Sequence, residues 1–257
     1  MVTTPQHERM VPLYQVSYPG SGSEMSRDLI EAITGVKTTV TKRRSDVVAV
    51  KTYYPYRPFD LQPSLLNRDM NKMIFIICYP LHAIASNFNH LYWRDNNLPP
   101  SAQPPKEAWE EWRDENFESE FNSWQEQLSF WMSNFKGPNR IILSYESLID
   151  EETGPKDAMR MSLFLRASYN EGTINPAPAF TLPCLWFQAV KVNDCSKTDM
   201  FQDTRYKSSG NDEPMYTTRH LEMAATKLND LEMKFGTERH IGPILQNYWE
   251  HTVLQIK

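Results

Sequence analysis

Four short runs of apolar residues along the chain have the pattern of buried β-strands. The runs cover Leu13–Val16, Val47–Lys51, Met73–Cys78 and Arg140–Tyr145. The third run is continuously apolar and rich in β-branched residues, which is typical of a strand that is covered on both faces. The pattern therefore predicts a sheet at the centre of the protein, with other elements packed on each side.

Between and after these runs, apolar residues recur at intervals of three and four, which predicts amphipathic helices. The first helix carries Met25, Leu29, Ile30 and Ile33, and Gly35 is placed to end it. The other predicted helices are Pro80–His90, Lys106–Phe135, Pro155–Ala167, Cys184–Val190, Thr217–Phe235 and Ile241–Val253. Strands that alternate with helices predict a three-layer α/β fold, in which a central, mostly parallel sheet is flanked by helices. We expect residues 1–257 to form a single domain.

The segments between these elements are polar or rich in proline. Thr38–Ser45 is interpreted as a solvated turn, and Asp95–Pro105, Asn170–Pro183 and Asp194–Met215 as loops. The long predicted helix carries a stripe of large apolar side chains: Trp109, Trp112, Phe117, Phe121, Trp124, Leu128 and Trp131. The stripe could line a ligand groove, but we expect it to pack in the core, because so many exposed rings would favour aggregation.

Composition and charge restrict the function classes. The chain has 257 residues and a formal net charge of −5, so it has no overall basic surface for nucleic acid or an anionic membrane. Its longest apolar run is too short to cross a bilayer, and the N-terminal segment lacks the apolar core of a secretory signal. Cys78, Cys184 and Cys195 are too scattered for a disulfide framework and have no metal-ligand spacing. We expect a cytoplasmic protein without a metal site; removal of a transit peptide stays an alternative.

The turn after the first predicted strand is the first candidate site. Pro19, Gly20, Ser21, Gly22 and Ser23 connect a strand to a helix. This arrangement brings free backbone N–H groups and a helix N-terminus to one point, which suits a phosphate or another anion. The turn lacks the Gly-Lys-Ser/Thr ending of a Walker motif, which disfavours a nucleotide kinase. A tight connection without a ligand is the alternative.

Four segments together resemble the sulfotransferase superfamily, whose members transfer a sulfuryl group from 3′-phosphoadenosine 5′-phosphosulfate (PAPS) to a hydroxyl or amine. Ser17–Gly22 is similar to the loop that cradles the 5′-phosphosulfate, and Val50–Pro55 to the Lys-Thr-His-x-Pro segment with the catalytic base. Cys78-Tyr79-Pro80 with Ser86 is similar to the Arg-Asp-Pro…Ser segment at the 3′-phosphate. Ser144–Leu148 is similar to the Tyr-Glu-Asp/Ser-Leu segment beside the adenine site.

The resemblance runs from Tyr14 to Tyr216 in the family's order and implies a P-loop-like sulfotransferase fold. The segment Trp112–Pro155, with WRDENF and SYESLIDEETGP, resembles more closely an expanded family of algal sulfotransferase-like proteins. In the superfamily, a His takes the acceptor proton, lysines stabilise the bridging oxygen, and an Arg and a Ser bind the 3′-phosphate. These residue types suit the reaction, because it needs a base and needs cations for the departing phosphate.

This chain differs from the family pattern at most of those positions. Gly20 stands where many members have Lys, and Met25 replaces the aromatic residue that stacks on adenine. Tyr53 replaces the His, and a phenol with an ordinary pKa of about 10 is a poor base at neutral pH. Cys78 replaces the Arg at the 3′-phosphate, and a neutral thiol makes no equivalent contact.

Glu24 is the change with the largest expected effect. It stands where family members have Thr or Lys, at the N-terminus of the first helix. A carboxylate there interacts favourably with the helix dipole, by about 0.3–1 kcal/mol. It would also repel a bound phosphate by an amount on the order of 4 kcal/mol, at about 4 Å and an effective dielectric constant of about 20.

The resemblance assigns a catalytic role to Lys51 and places Tyr53 at the position of the base. It assigns cofactor contacts to Pro19, Gly20, Ser21, Gly22, Ser23, Glu24, Met25, Ser86, Tyr145, Arg205 and Lys207. Lys51 could instead be a surface lysine, and Ser86, Arg205 and Lys207 could be solvated without a ligand. His82 and His90 are candidates for a substitute base or for packed or surface histidines.

Two functions from different classes follow. The first is a sulfotransferase-fold protein with a degenerate PAPS site, weak or no sulfuryl transfer and a binding or structural role, that is, a pseudoenzyme. The alternative is an active PAPS-dependent sulfotransferase acting on a small acceptor with a hydroxyl or amine. The implied cofactor is PAPS or its product, and the implied partner is a small-molecule acceptor or another protein.

Overall fold

The computed structural model describes residues 11–40, 46–56, 70–99, 102–169, 174–192 and 216–256. Within these ranges the strands are β1 (Leu13–Ser17), β2 (Thr38–Thr39), β3 (Ala49–Thr52), β4 (Met73–Ile77) and β5 (Arg140–Ser144). The helices are α1 (Ser23–Thr34), α2 (Pro80–Asp95), α3 (Lys106–Asn134), α4 (Tyr145–Ile149), α5 (Gly154–Ser168), α6 (Leu182–Trp186), α7 (Thr218–Phe235) and α8 (Gly242–Ile256).

The strands form one sheet in the order β2-β3-β1-β4-β5, and every described pair is parallel. β1 lies at the centre, where Val16 is in register with Thr52 of β3 and with Phe75 of β4. The predicted α/β fold with a central, mostly parallel sheet flanked by helices is therefore confirmed. Since all strands run in the same direction, their carboxyl ends meet along one edge of the sheet, where ligands bind in open α/β folds.

Side chains alternate between the two faces of the sheet and separate the core into two halves. Phe75 of β4 packs with α2, α3, α7 and α8, whereas the neighbouring Ile74 and Ile76 pack with α1, α5 and α6. This alternation follows from the two-residue period of a strand. It explains why the run Met73–Ile77 is apolar at every position: both faces are covered by helices.

The aromatic stripe of α3 packs in the core, as predicted. Most of its members are almost fully buried: Trp109, Phe117, Phe121, Trp124, Leu128 and Trp131. The indole N–H of Trp131 donates to the carbonyl of Tyr54, at 2.7 Å, and so ties α3 to the segment after β3. No helix in the described ranges is long and apolar enough to span a membrane.

Several element boundaries differ from the prediction. Thr38–Thr39 forms the edge strand β2, whereas Thr38–Ser45 was predicted to be a solvated turn. The carboxylate of Glu31 holds Thr38 through its backbone N–H and its hydroxyl, a tertiary contact that no sequence pattern signals. α2 continues five residues beyond the predicted end at His90, to Asp95. The predicted helix Cys184–Val190 is α6 followed by a π-helical turn, Phe187–Val192. Residues 41–45 and 193–215 lie outside the described ranges.

Candidate functional site

The turn between β1 and α1 lies at the carboxyl edge of the sheet, next to the central strand. It is closed by a hydrogen bond from the N–H of Ser21 to the carbonyl of Tyr18, at 3.1 Å. Gly20 and Gly22 have positive φ angles of 79° and 75°, a conformation in which side chains are strained. The pattern Pro19–Ser23 therefore requires glycine at both positions to fold back into α1.

Both glycines are also required by close packing. A Cβ added to Gly20 would lie 2.5 Å from the carbonyl oxygen of Ala83 and 2.9 Å from the Cβ of Ser86, both in α2. A Cβ added to Gly22 would lie 2.4 Å from the ring of Tyr145 and 3.4 Å from the Cε of Met25. The turn is thus held between α2 and the start of α4, and the predicted site residues in those elements lie beside it.

The turn offers hydrogen-bonding groups that have no protein partner. The hydroxyls of Ser17 and Ser21 are fully buried and unpaired among the described residues, and so is the side-chain oxygen of Asn87 beside Gly20. The N-cap of α1 is Gly22, which has no side chain to cap the first N–H groups of the helix. Buried polar groups without partners are rare, and their concentration here indicates a place for a polar ligand or water.

A carboxylate of the protein itself reaches into this edge. Glu24, in the first turn of α1, forms a salt bridge with Lys51 at the end of β3, and a second one with Arg27 at 2.9 Å. The Lys51 side chain is only 8% exposed, whereas that of Glu24 is 37% exposed. Lys51 is therefore not a surface lysine at a strand end. The positive charge of Lys51 is balanced inside the protein by the carboxylate of Glu24.

Tyr53 lies beside the same pair. Its hydroxyl is 2.8 Å from the hydroxyl of Ser23, and the Lys51 ammonium lies 4.7 Å from the centre of its ring. Gln127 of α3 fixes this segment, because its side-chain N–H₂ donates to the carbonyls of Tyr53 (2.7 Å) and Ser17 (3.0 Å). The phenol is thus held against the turn, at the position the resemblance assigns to the base.

Cys78, at the end of β4, lies in a different environment from that of a phosphate-binding residue. It is buried, and burial together with the negative charge of Glu146 raises the pKa of its thiol. Glu146 in turn accepts from the backbone N–H of Tyr79 at 2.8 Å and from the hydroxyls of Ser144 and Tyr248, each at 2.7 Å. A carboxylate with three donors therefore lies next to Cys78, at the position that the resemblance assigns to the 3′-phosphate.

A second carboxylate near the turn was missed by sequence reasoning. Glu120 of α3 accepts from the hydroxyls of Tyr18 and Tyr56, and from the side chain of Asn87 at 3.2 Å. Burial is the largest influence on Glu120 and raises its pKa, although these hydrogen bonds act in the opposite direction. In the sequence Glu120 is one of many acidic residues on α3, and only its position opposite Tyr18 and Asn87 distinguishes it.

Of the other predicted site residues, some lie near the turn and others lie outside the described ranges. Met25, Ser86 and Tyr145 lie against the two glycines. Arg205 and Lys207 lie outside the described residues. Of the two histidines, His82 packs its ring against Tyr79. His90 is largely exposed; the partial loss of solvent around its ring, followed by the charges of Arg94 and Lys51, lowers its pKa. Among the described residues, no group of His, Cys, Asp and Glu side chains could hold a metal ion.

Comparisons with known proteins agree with this geometry at the level of the fold. The sequence matches no protein-family model and no curated protein. The structure is similar to that of mouse sulfotransferase SULT7A1 complexed with PAP, with a TM-score of 0.59 and 18% sequence identity. The similarity covers 93% of this chain and 88% of the mouse chain. The chain therefore has the fold of a sulfotransferase.

Proposed function

We propose that this chain is a sulfotransferase-fold protein with a degenerate PAPS site: sulfuryl transfer is weak or absent, and the protein has a binding or structural role. The observation that carries the proposal is the salt bridge between Glu24 and Lys51. In this arrangement the buried cation at the turn is neutralised by a carboxylate of the protein. An incoming phosphosulfate would have to displace that carboxylate and then lie beside it.

The 5′ end of a PAPS molecule fits the turn in shape but not in charge. The glycine turn, the uncapped start of α1 and the unpaired hydroxyls of Ser17 and Ser21 are suited to an anion. Glu24 adds a negative charge at the same place, and its partners Lys51 and Arg27 are already engaged. An anion that binds there must compete with Glu24 for Lys51 and Arg27, although the buried Nε of Arg27 has no partner among the described residues.

The 3′ end of PAPS does not fit this site in charge. The buried thiol of Cys78 offers no positive charge, and the adjacent Glu146 is held in place by three donors. A phosphate next to that carboxylate would be repelled. Because the residues do not fit PAPS as they stand, a ligand without a 3′-phosphate is a better match than PAPS.

The proposal is tested by titration with 3′-phosphoadenosine 5′-phosphate (PAP) and with adenosine 5′-monophosphate (AMP). For the wild-type chain we expect no change in melting temperature with either nucleotide. For Glu24→Gln we expect stabilisation by both, because Lys51 and Arg27 become available; a ligand at a hundred times its Kd stabilises by about 2.7 kcal/mol. AMP should bind this variant more tightly than PAP, because the 3′-phosphate would lie beside the carboxylate of Glu146.

Glu31→Gln is the matched control. Glu31 lies at the far end of the same helix, where it binds Lys37 and Thr38. The substitution Glu31→Gln changes the net charge by the same amount as Glu24→Gln does. It should leave the response to nucleotides unchanged. Tight binding of PAP to the wild-type chain, or a much stronger response to PAP than to AMP in Glu24→Gln, would contradict the proposal.

The alternative function is an active PAPS-dependent sulfotransferase that modifies a small hydroxyl- or amine-bearing acceptor. It is favoured by the buried, unpaired hydroxyls of Ser17 and Ser21, which a lost site has no reason to retain. Incubation with ³⁵S-labelled PAPS and a panel of phenols, alcohols and amines separates the two functions. The alternative requires labelled product from the wild-type chain and a loss of about a hundredfold in Lys51→Met.

A further inference from the structure

A cleft of about 640 Å³ lies at the opposite edge of the sheet from the candidate site, at the amino end of β5. Its walls come from the turn before β5, from α5 and from the turn between α7 and α8. The volume is within the range of about 300–1,000 Å³ that small-molecule sites occupy. The cleft does not overlap the candidate site, because the length of the strands separates the two edges of the sheet.

One wall of the cleft is fixed by Arg140. Its side chain is only 7% exposed; one guanidinium nitrogen donates to the carbonyls of Met132 and Phe135, and another forms a salt bridge with Glu238 at 2.6 Å. These contacts hold the turn between α7 and α8 against the start of β5. Arg140 is therefore a structural part of the wall and has little capacity left for a ligand.

Two other arginines remain available at the mouth. Arg160 is 41% exposed; it pairs with Asp157 at 2.6 Å, but its second terminal nitrogen makes only long contacts of 3.4 Å, to the carbonyl of Ile142 and to His240. Arg239 is exposed, and no carboxylate among the described residues pairs with it. A guanidinium with free donors in a fixed plane is well suited to a carboxylate or sulfate.

The cleft is lined by three arginines, Arg140, Arg160 and Arg239, and by one carboxylate, that of Glu238, although the whole chain has a net charge of −5. Lys72 is not a lining residue, but its ammonium donates to the carbonyl of Ala167, which lines the cleft, at 3.0 Å. The pKa of His240 is lowered, first by burial and then by Arg160, Arg239 and Arg140. Glu238 acts in the opposite direction and raises the pKa, so the three arginines account for only part of the shift; an anion in the cleft would offset that part.

The inner surface of the cleft is apolar. Leu163 of α5 is 57% exposed, and Phe164 and Ile141 lie next to it. A large aliphatic side chain left in contact with water within a concave surface is stabilised when an apolar group covers it. The cleft thus combines cations at its mouth with an apolar interior.

We propose that this cleft binds a small organic anion, with a carboxylate or sulfate group at Arg160 and Arg239 and an apolar body against Leu163 and Phe164. The charge selects an anion over a neutral or cationic molecule of the same shape. The apolar surface selects an amphiphile over an inorganic ion. A nucleic acid is disfavoured, because only two arginines are available and the chain is acidic overall.

Isothermal titration calorimetry with decanoate tests the proposal on the full chain, with decanol as the neutral analogue of the same length. We expect decanoate to bind and decanol to bind at least tenfold more weakly. Arg239→Gln should weaken decanoate binding by about tenfold, and Leu163→Gln by several-fold. Both side chains are exposed, so neither substitution should affect folding. Arg219→Gln, an exposed arginine on α7 away from the cleft, is the matched control and should bind as the wild type does.

A second measurement locates the ligand. The ring proton of His240, assigned in NMR spectra with the variant His240→Gln, should titrate at a higher pH when decanoate is present, because the bound anion offsets the surrounding arginines. Equal binding of decanoate and decanol, equal binding by Arg239→Gln and Arg219→Gln, or an unchanged His240 titration would each overturn the proposal.

Discussion

The ring of Tyr145 covers Gly22 so closely that a Cβ added to the glycine would lie 2.4 Å from the ring. This contact joins the turn after β1 to the first residue after β5, across the width of β4. It fixes the position of the turn from the side of α4. The turn can keep this shape only while residue 22 is glycine and residue 145 stays in place.

Gly22→Ala should therefore destabilise the protein by more than the cost of backbone strain alone, which is about 1–2 kcal/mol for a side chain at positive φ. Gly35→Ala is the matched control, because Gly35 has a φ of 68° and nothing within 4 Å of an added Cβ. The free energy of unfolding, measured in urea, should fall further for Gly22→Ala than for Gly35→Ala. Tyr145→Ala should remove most of that difference; an equal loss in both glycine variants would contradict the contact.

A double-mutant cycle at Glu24 and Lys51 should show strong coupling. Glu24→Gln alone leaves the buried Lys51 ammonium without its carboxylate, and we expect a loss of about 1–3 kcal/mol. Lys51→Met alone should cost less, because Glu24 is partly exposed and retains Arg27. In the double variant the two losses should not add. Additive losses in urea unfolding would mean that the pair does not interact.

Glu120 should titrate above the ordinary value of 4.5, because burial raises its pKa. The folded protein then holds this proton more tightly than the unfolded chain does. Its contribution to the free energy of unfolding should accordingly fall as the pH rises from 4.5 through the folded pKa. Urea unfolding of the wild type and of Glu120→Gln over this range measures the difference. Glu118→Gln, exposed on the same helix, is the control and should show no such dependence.

A contribution of Glu120 to the free energy of unfolding that grows as the pH rises would contradict this prediction. It would indicate that the donors Tyr18, Tyr56 and Asn87 outweigh burial and lower the pKa of Glu120. The carboxyl carbon of Glu120, followed by NMR, gives the pKa directly.

The two described cysteines should differ sharply in reactivity. Cys184 is exposed and should react with a thiol reagent within the mixing time, whereas Cys78 is buried with a raised pKa and should react only after unfolding. The variants Cys184→Ser and Cys195→Ser assign the signals. Rapid labelling of Cys78 in the folded protein would mean that the carboxyl end of β4 is open to solvent.

The sequence predicted the parts of the structure that depend on local patterns. Short apolar runs identified β1, β3, β4 and β5, whose buried side chains pack on both faces of the sheet. Pro80 and Gly35 marked a helix start and a helix end through the backbone angles they favour. Glycines at 20 and 22 indicated a sharp turn, and both have positive φ angles. The edge strand β2 was missed, because a two-residue strand has no periodicity.

The charge balance of the site could not be predicted in the same way. The sequence indicated that Glu24 lies at the start of α1, where it would repel an anion. It did not indicate that Lys51 and Arg27 both bind this carboxylate, because the pairing depends on how β3 lies beside β1. The network of Glu120 had no signal either, since its partners come from three separate segments.

Gln127 connects α3 to the ends of two strands. One amide group of α3 holds the carbonyl that ends β1 and the carbonyl of Tyr53 after β3. A movement of α3 away from the sheet would therefore pull on both strand ends at once. The position of α3 and the shape of the turn after β1 are consequently linked through the amide group of Gln127.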